Sequence, residues 1–285
     1  MSEKLYHNIR QFYDVSSALW EETWGEHMHH GYYGPNGDEK RDHRRAQVDL
    51  IEELLRWGEV RGAEHILDLG CGIGGSSLYL AQKFNARVAG ITLSPVQANR
   101  ARERAAAAGL SGRAQFAVAD ALHPPFGPGA FDLAWSLESG EHMPEKRRFL
   151  QAGMEMLRPG GKFLMAAWCR RALPPALSFS EQRLLRRLCR VYHLPPLVSI
   201  EEYQNFAAEA GFTDLRTADW TRAVSPFWKA VARSALSFKS VRGLIRAGWP
   251  TIRGALAMNL MIRGYRSGLV RFGLLQGVKR MEHSA

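Results

Sequence analysis

Two stretches of the chain concentrate side chains able to move protons. Residues 24–34 read WGEHMHHGYYG, with His27, His29 and His30 beside Tyr32 and Tyr33. Residues 135–144 read WSLESGEHMP and bring Glu138, Glu141 and His142 close together. An imidazole gains or loses its charge near neutral pH and serves as general acid or base. Adjacent histidines in a loop can also hold a metal ion. Here no fourth ligand stands nearby, so no metal site is expected. A third stretch, LDLGCGIGG at 67–75, removes side chains at Gly70, Gly72 and Gly74. Backbone N–H groups and a helix N-terminus can then approach a ligand closely. Its G-x-G-x-G-G spacing departs from the dinucleotide pattern. The next strand ends in GITLSP, without the acid that would hold a nicotinamide ribose.

These residues need elements to position them. Leu5, Ile9, Phe12, Tyr13 and Leu19 recur at roughly helical spacing, and Val48, Ile51, Leu54 and Leu55 share one face of a second helix. The histidine run lies between the two helices and is bounded by Gly31, Gly34 and Gly37, so it is expected to form a loop or lid. From residue 64 strands alternate with helices: HILDLG, ARVAGIT, AQFAVAD, AFDLAWS and GKFLMAAW are strands. Between them, SPVQANRARERAAAAG is a helix with Ser94 as cap and Pro95 in its first position. Such alternation implies an α/β fold, a parallel sheet with helices on both faces. The cluster at 135–144 then falls at the C-terminal end of the fourth strand, the edge where open α/β sheets bind ligands. FTDLRTADW and LVRFGLLQGVK supply a sixth and a seventh strand. The expected organisation is a helical lid at 1–60, a core at 61–220, a basic helical insertion at 221–269, and the last strand and tail at 270–285.

Length and composition suit one large domain: 285 residues, 46% hydrophobic. No apolar run reaches the length of a membrane span. The first residues, MSEKLYHNIRQFYD, carry acids and lack an apolar core, so neither a secretory signal nor a transit peptide is expected. Cys71, Cys169 and Cys189 form no C-x-x-C pair, which points to a reducing cytosol. The net charge of +10 is uneven: residues 221–285 hold twelve Lys and Arg against the single acid Glu282, a net +11, and the first 220 residues sum to −1. Such asymmetry suits an anionic membrane surface, a nucleic acid, or simply a solvated face.

LDLGCGIGG, VADALHPPF and LRPGGKFLMA, in this order and spacing, resemble the motifs of class I S-adenosylmethionine-dependent methyltransferases. The resemblance implies a Rossmann-like seven-stranded sheet with S-adenosyl-L-methionine as cofactor. It places Asp68, Gly70, Cys71, Gly72 and Gly74 around the methionine and ribose, and Asp120 with Ala121 at the adenine. Thr92, Leu93 and Gln97 stand where the family usually has an acid for the ribose hydroxyls. Ser136, on the fourth strand, and Tyr13, at the methionine end, complete the expected cofactor set.

A closer resemblance runs from about Leu5 to Lys279. FYDVSSALWEETWGEHMHHGYYGP, WSLESGEHMPEKRRFL, TADWTRAVSPFW and GLVRFGLLQGVK are similar to the γ-tocopherol C-methyltransferase family. This implies methylation of the chromanol ring of γ-tocopherol, and of δ-tocopherol, on a carbon ortho to the phenol. The same resemblance leaves open N-methylation of an indole alkaloid or other amine, and methylation of a prenylated benzoquinol. A non-catalytic cofactor-binding protein is the reading from a different class. The expected catalytic groups are His142, Glu138, Glu141 and His29. The expected acceptor pocket comprises Trp24, His30, Tyr32 and Trp168, with His29 and Tyr32 as walls and His27 toward solvent. WSLESGEH is not the N-P-P-Y type used on bases and no Cys–Pro pair is present, so no nucleic-acid partner is expected. A prenylated acceptor resides in a bilayer. The basic segment after residue 220, with its Trp, Phe and Leu, is therefore expected to touch a membrane peripherally, on its inner face.

Overall fold

The computed structural model describes residues 6, 7, 9–11, 13, 14, 17, 21, 25–230 and 258–281. The expected pocket residue Trp24 and most of the expected insertion, residues 231–257, lie outside them.

Seven strands form one sheet in the order β3-β2-β1-β4-β5-β7-β6. The strands are β1 His65–Leu69, β2 Arg87–Thr92, β3 Ala114–Val118, β4 Phe131–Leu137, β5 Leu157–Arg170, β6 Phe212–Asp219 and β7 Val270–Lys279. β1 to β5 pair in parallel, and β7 runs antiparallel between β5 and β6. Central strands of such a sheet are covered on both faces and therefore read as near-continuous apolar runs. In β1, Ile66 joins the core on one face while Leu67 and Leu69 join the core on the other. The helices are α1 His43–Trp57, α2 Gly75–Phe84, α3 Pro95–Ala107, α4 Lys146–Met156, α5 Phe179–Val191, α6 Ile200–Glu209 and the short α7 Thr221–Val224. Helices α1 to α3 cover the Ile66 face, and α4 and α6 cover the other.

α1 shows why an amphipathic segment becomes a platform. Asp42 caps it by accepting from the N–H groups of Arg44 and Arg45. Its inner stripe, Ala46, Leu50, Ile51, Leu54 and Leu55, is almost fully buried. Each such Leu or Ile contributes roughly 1.5–3 kcal/mol relative to exposure. The same helix holds the lid. Gln47, fully buried, donates through Nε2 to the carbonyls of His27 at 2.5 Å and His29 at 2.9 Å. Gly31 lets the lid backbone lie against α1, because a Cβ there would sit 2.5 Å from the Ala46 Cβ. The lid also bonds beyond α1, Tyr33 N–H donating to the Ala223 carbonyl.

Candidate active site

A cleft opens at the C-terminal edge of β1, β2 and β4. The glycine loop between β1 and α2 forms its floor. At Gly72 φ is +54°, in the left-handed region, and a Cβ would project into open space with only Gln97 Nε2 at 4.0 Å. Gly70 leaves room for Ser139, whose Cβ a side chain there would strike. Ser139 in turn bonds Ser136 Oγ at 2.7 Å and the Leu69 carbonyl. Beneath the loop, Asp68 is 2% exposed and accepts from Ser77 Oγ at 2.6 Å. Burial pushes its carboxyl up to about 7, against the Ser77 bond.

A second wall comes from the turn after β2. Ser94 caps α3 by accepting from Gln97 N–H at 3.0 Å and also donates to the Asp14 carboxylate. Thr92 Oγ1 donates to Gln97 Oε1 at 2.9 Å, and Gln97 Nε2 donates to Ser17 Oγ at 3.2 Å. The helical residues of the N-terminal segment are thereby tied across the cleft mouth. Beyond β3, Asp120 accepts from Leu122 N–H at 2.9 Å and lies in contact with the Tyr6 hydroxyl.

The third wall is where the proton-moving groups converge. Tyr13 Oη and His142 Nε2 are 2.7 Å apart, and both residues line the cleft. Burial, helped by the Lys146 ammonium, drives the His142 imidazole down to about 3 despite Glu138, so the ring is neutral. Burial and the nearby carboxylates hold the Tyr13 phenol well above its usual range. His29 also lines the cleft. Its Nδ1 lies 2.8 Å from the His30 carbonyl, an acceptor only, so Nδ1 carries the hydrogen and Nε2 the free lone pair. That Nε2 and His142 Nδ1 have no partner among the described residues. Burial lowers the His29 pKa, partly opposed by Glu138.

Behind this wall lies a buried clasp. Glu138 adopts φ +53°, a left-handed conformation costly for any residue with a Cβ. Its carboxylate accepts from His30 N–H at 2.5 Å, from His30 Nδ1 at 2.8 Å and from Trp168 Nε1 at 2.9 Å. Burial alone would raise its pKa, but His30 outweighs that and leaves it below the usual carboxylate range. The His30 ring is packed against Trp168, Phe227, Trp228, Tyr265 and Phe272, with centroids 4.9–5.8 Å away. Tyr265 Oη also meets His30 Nε2 at 3.2 Å. Both described ends of the segment between β6 and β7 therefore fold onto one lid residue.

Comparison with known proteins assigns the chain. Residues 66–161 match the model of a methyltransferase domain. The chain is 48% identical to a probable tocopherol O-methyltransferase, chloroplastic, of Oryza sativa subsp. japonica, over 95% of this chain and 77% of the relative. It is 46% identical to the tocopherol O-methyltransferase, chloroplastic, of Arabidopsis thaliana, over 96% of this chain and 82% of the relative. The chain belongs to the tocopherol methyltransferase family. Its fold is that of a geranyl diphosphate methyltransferase solved with GPP and sinefungin, with TM-score 0.78 at 21% identity over 96% of this chain and 99% of that one. S-adenosylmethionine is the cofactor of this methyltransferase family. The cleft fits it: a Cβ at Gly72 would meet only Gln97 Nε2, at 4.0 Å, which leaves room for a ligand against the loop, and the buried Asp68, with no cationic partner among the described residues, suits an ammonium.

The methyltransferase cleft takes in many of the residues singled out from the sequence. Tyr13, His29, Asp68, Gly70, Cys71, Gly72, Thr92, Leu93, Gln97, Asp120, Ala121, Glu138 and His142 line it. Gly74 does not; it begins α2 in a left-handed turn beneath Phe116. Ser136 and Trp168 support the wall from behind.

Four expectations are corrected. His27 is not turned to solvent: it is 8% exposed and lines the cleft, because Gln47 grips its carbonyl and Gly75 admits its ring, with a Cβ there 2.8 Å from His27 Nδ1. His30 is no pocket wall, since Glu138 and five aromatic rings enclose it. Tyr32 packs on Trp220 at 5.2 Å, away from the cleft. Glu141 faces away as well. It is 1% exposed with its carboxyl pushed up to about 8 by burial and by Glu138, while the buried Lys146 donates to the Gly140 and Glu141 carbonyls at 2.8 Å.

Ser139, Lys146, Asp14 and Ser17 also serve the site, although no motif in the sequence marks them. Ile9, Tyr13 and Ser17 recur four apart, the signal that would have extended the cleft-facing stripe of the first helix to Ser17.

Proposed function

We propose that this methyltransferase methylates the chromanol ring of γ-tocopherol, and of δ-tocopherol, on the carbon ortho to the phenol, giving α- and β-tocopherol. The observation that carries this reading is the near-half identity, over almost the whole chain, to two tocopherol methyltransferases. Both are named for methylation on oxygen, so the site of methyl attachment is part of the test.

Asp68 and the loop from Gly70 to Ile73 would hold the methionyl and ribose portion of the cofactor, with Thr92, Leu93 and Gln97 toward the ribose and Asp120 with Ala121 toward the adenine. The cofactor supplies a methyl group already activated on a sulfonium. The chain has to align the acceptor, keep bulk water from the methyl group and manage two protons, the phenolic one and the one leaving the ring carbon. The lid from His27 to Gly31 and the Tyr13–His142 contact close the cleft. His29 Nε2, with its tautomer set by the His30 carbonyl, takes the phenolic proton and so makes the ortho carbon nucleophilic. The methylated dienone then loses the proton of its substituted ring carbon to solvent water, which restores the aromatic phenoxide, and protonated His29 returns the phenolic proton to that oxygen, so one proton is released overall. Neutral His142 positions Tyr13 and the acceptor. Glu138 holds the lid and is not a base, because three donors occupy its carboxylate.

The four segments named from the sequence act as lid, core, acceptor cover and closing strand. Contact with the inner face of a membrane through residues 221–269 would bring a prenylated acceptor to the cleft. No helix among the described residues is long and apolar enough to cross one.

Incubation with S-adenosylmethionine and a panel of γ-, β- and δ-tocopherols, prenylated benzoquinols and indole amines, read by mass spectrometry, tests the assignment. Turnover confined to the amines or the benzoquinols overturns it.

A further inference from the structure

α5 leaves the sheet at the edge that carries the cleft, because it follows the C-terminal end of β5, which runs parallel to β4. Its inner side is anchored: Leu188 is fully buried, and Tyr192, just past the helix, packs on Trp168 with ring centroids 5.1 Å apart. Trp168 bonds Glu138 at the cleft wall. The outer side has a different character. Phe179, Arg183, Arg186 and Arg190 recur at helical spacing along one face, with Arg187 at its margin, and all five are exposed. This stripe is about 16 Å long. None of its four arginines forms an ion pair with a described residue. The one acid of the helix, Glu181, turns inward to Arg171. Phe179, at the start of the stripe, is 75% exposed, the highest value among the exposed large apolar side chains of the described residues, and Leu173, in the loop before it, is 47% exposed.

A solvated charged face does not need an exposed phenyl ring at its end. A cationic stripe with an apolar tip matches an anionic bilayer surface, where the guanidinium groups meet phosphates and the ring enters the acyl boundary. We propose that the outer face of α5, with Leu173 and Phe179, docks the enzyme on an anionic lipid bilayer. The surface stands on its own residues. That it presents the cleft to a lipid-embedded acceptor rests on the prenylated-acceptor reading above.

The test uses the full chain and co-sedimentation with phosphatidylglycerol–phosphatidylcholine vesicles at low salt. The wild type is expected to sediment and to be released at about 0.5 M NaCl, where surface charges are screened. Arg183→Gln/Arg186→Gln/Arg190→Gln is expected to lower the partition coefficient about fivefold per arginine, on the order of a hundredfold together. Phe179→Ser should lower it about tenfold. Unchanged S-adenosylmethionine affinity by calorimetry certifies the fold of each variant. A triple variant that sediments like the wild type overturns the proposal. So does a wild type that stays in the supernatant. Equal affinity for vesicles and a duplex oligonucleotide, with Phe179→Ser altering neither, also overturns it by making the stripe a general polyanion site. The acceptor reading is separated by supplying γ-tocopherol in neutral detergent micelles. There the triple variant should turn over like the wild type, and an inactive wild type would refute the acceptor while leaving the vesicle result standing.

Discussion

Glu138→Gln tests the clasp that joins the lid to the sheet. The wild-type carboxylate accepts three N–H groups, from His30 N, His30 Nδ1 and Trp168 Nε1, at 2.5–2.9 Å. A glutamine of the same shape has one acceptor oxygen and presents an NH2 group where a donor already points. At least one of the three bonds becomes donor against donor, and the other two lose their charge assistance. Hydrogen bonds to a charged group contribute about 1.5–3 kcal/mol each, so a loss of about 2–4 kcal/mol is expected. For a chain of this size that corresponds to a fall in Tm of roughly 5–12 °C. Differential scanning calorimetry measures it directly. The pH dependence fixes the cause. A carboxylate whose folded pKa is lowered stabilises fully above its unfolded pKa, and that stabilisation is lost as pH falls through the folded value. The gap between wild type and Glu138→Gln should therefore be full at neutral pH and shrink as pH falls below the ordinary glutamate range. Equal Tm values at pH 7, or a gap that ignores pH, would refute the clasp.

Other outcomes follow from the same geometry. His29→Ala should lower turnover about 10²–10⁴-fold, the usual reach of a general base, with cofactor affinity by calorimetry within a few-fold of wild type; a mild loss removes His29 from that role. His142→Ala and Tyr13→Phe should each depress kcat while sparing cofactor binding, and the acid limb of the wild-type rate profile should not titrate with His142, which stays neutral down to about 3. Asp68, raised to about 7 when buried without a cation, should ionise on meeting the cofactor's ammonium. Cofactor affinity should then strengthen roughly fourfold between pH 6 and 8, the rise from Asp68 being partly offset as the free cofactor's α-ammonium begins to lose its proton near pH 8, and Asp68→Asn should remove that rise. Gly70→Ala should abolish cofactor binding, because its Cβ strikes Ser139.

Every strand read from the sequence is present; the central ones, buried on both faces, declare themselves as short apolar runs between glycine and polar turns, whereas the antiparallel course of β7, beside the half-exposed edge strand β6, was not legible in an alternation that suggested a parallel sheet. The glycine loop was legible for a related reason: LDLGCGIGG asks for a left-handed backbone path that favours glycine, and Gly70 at φ +92°, Gly72 at +54° and Gly74 at +82° follow it. The lid was legible as a loop but not in its facing. Whether His27 meets solvent or cleft depends on Gln47, twenty residues on, and on the missing Cβ of Gly75. Whether Glu138 is a base or a brace depends on His30, 108 positions away. A motif states which side chains arrive at a sheet edge. The partner that occupies each lone pair comes from elsewhere in the chain, and that partner decides the role.

The most direct measurement of the central claim uses S-adenosylmethionine carrying a 13C-labelled methyl group and γ-tocopherol, with the product analysed by NMR. The label is expected as an aryl methyl on the ring carbon ortho to a free phenol, in α-tocopherol. A labelled methyl ether, or no labelled tocopherol at all, would contradict it.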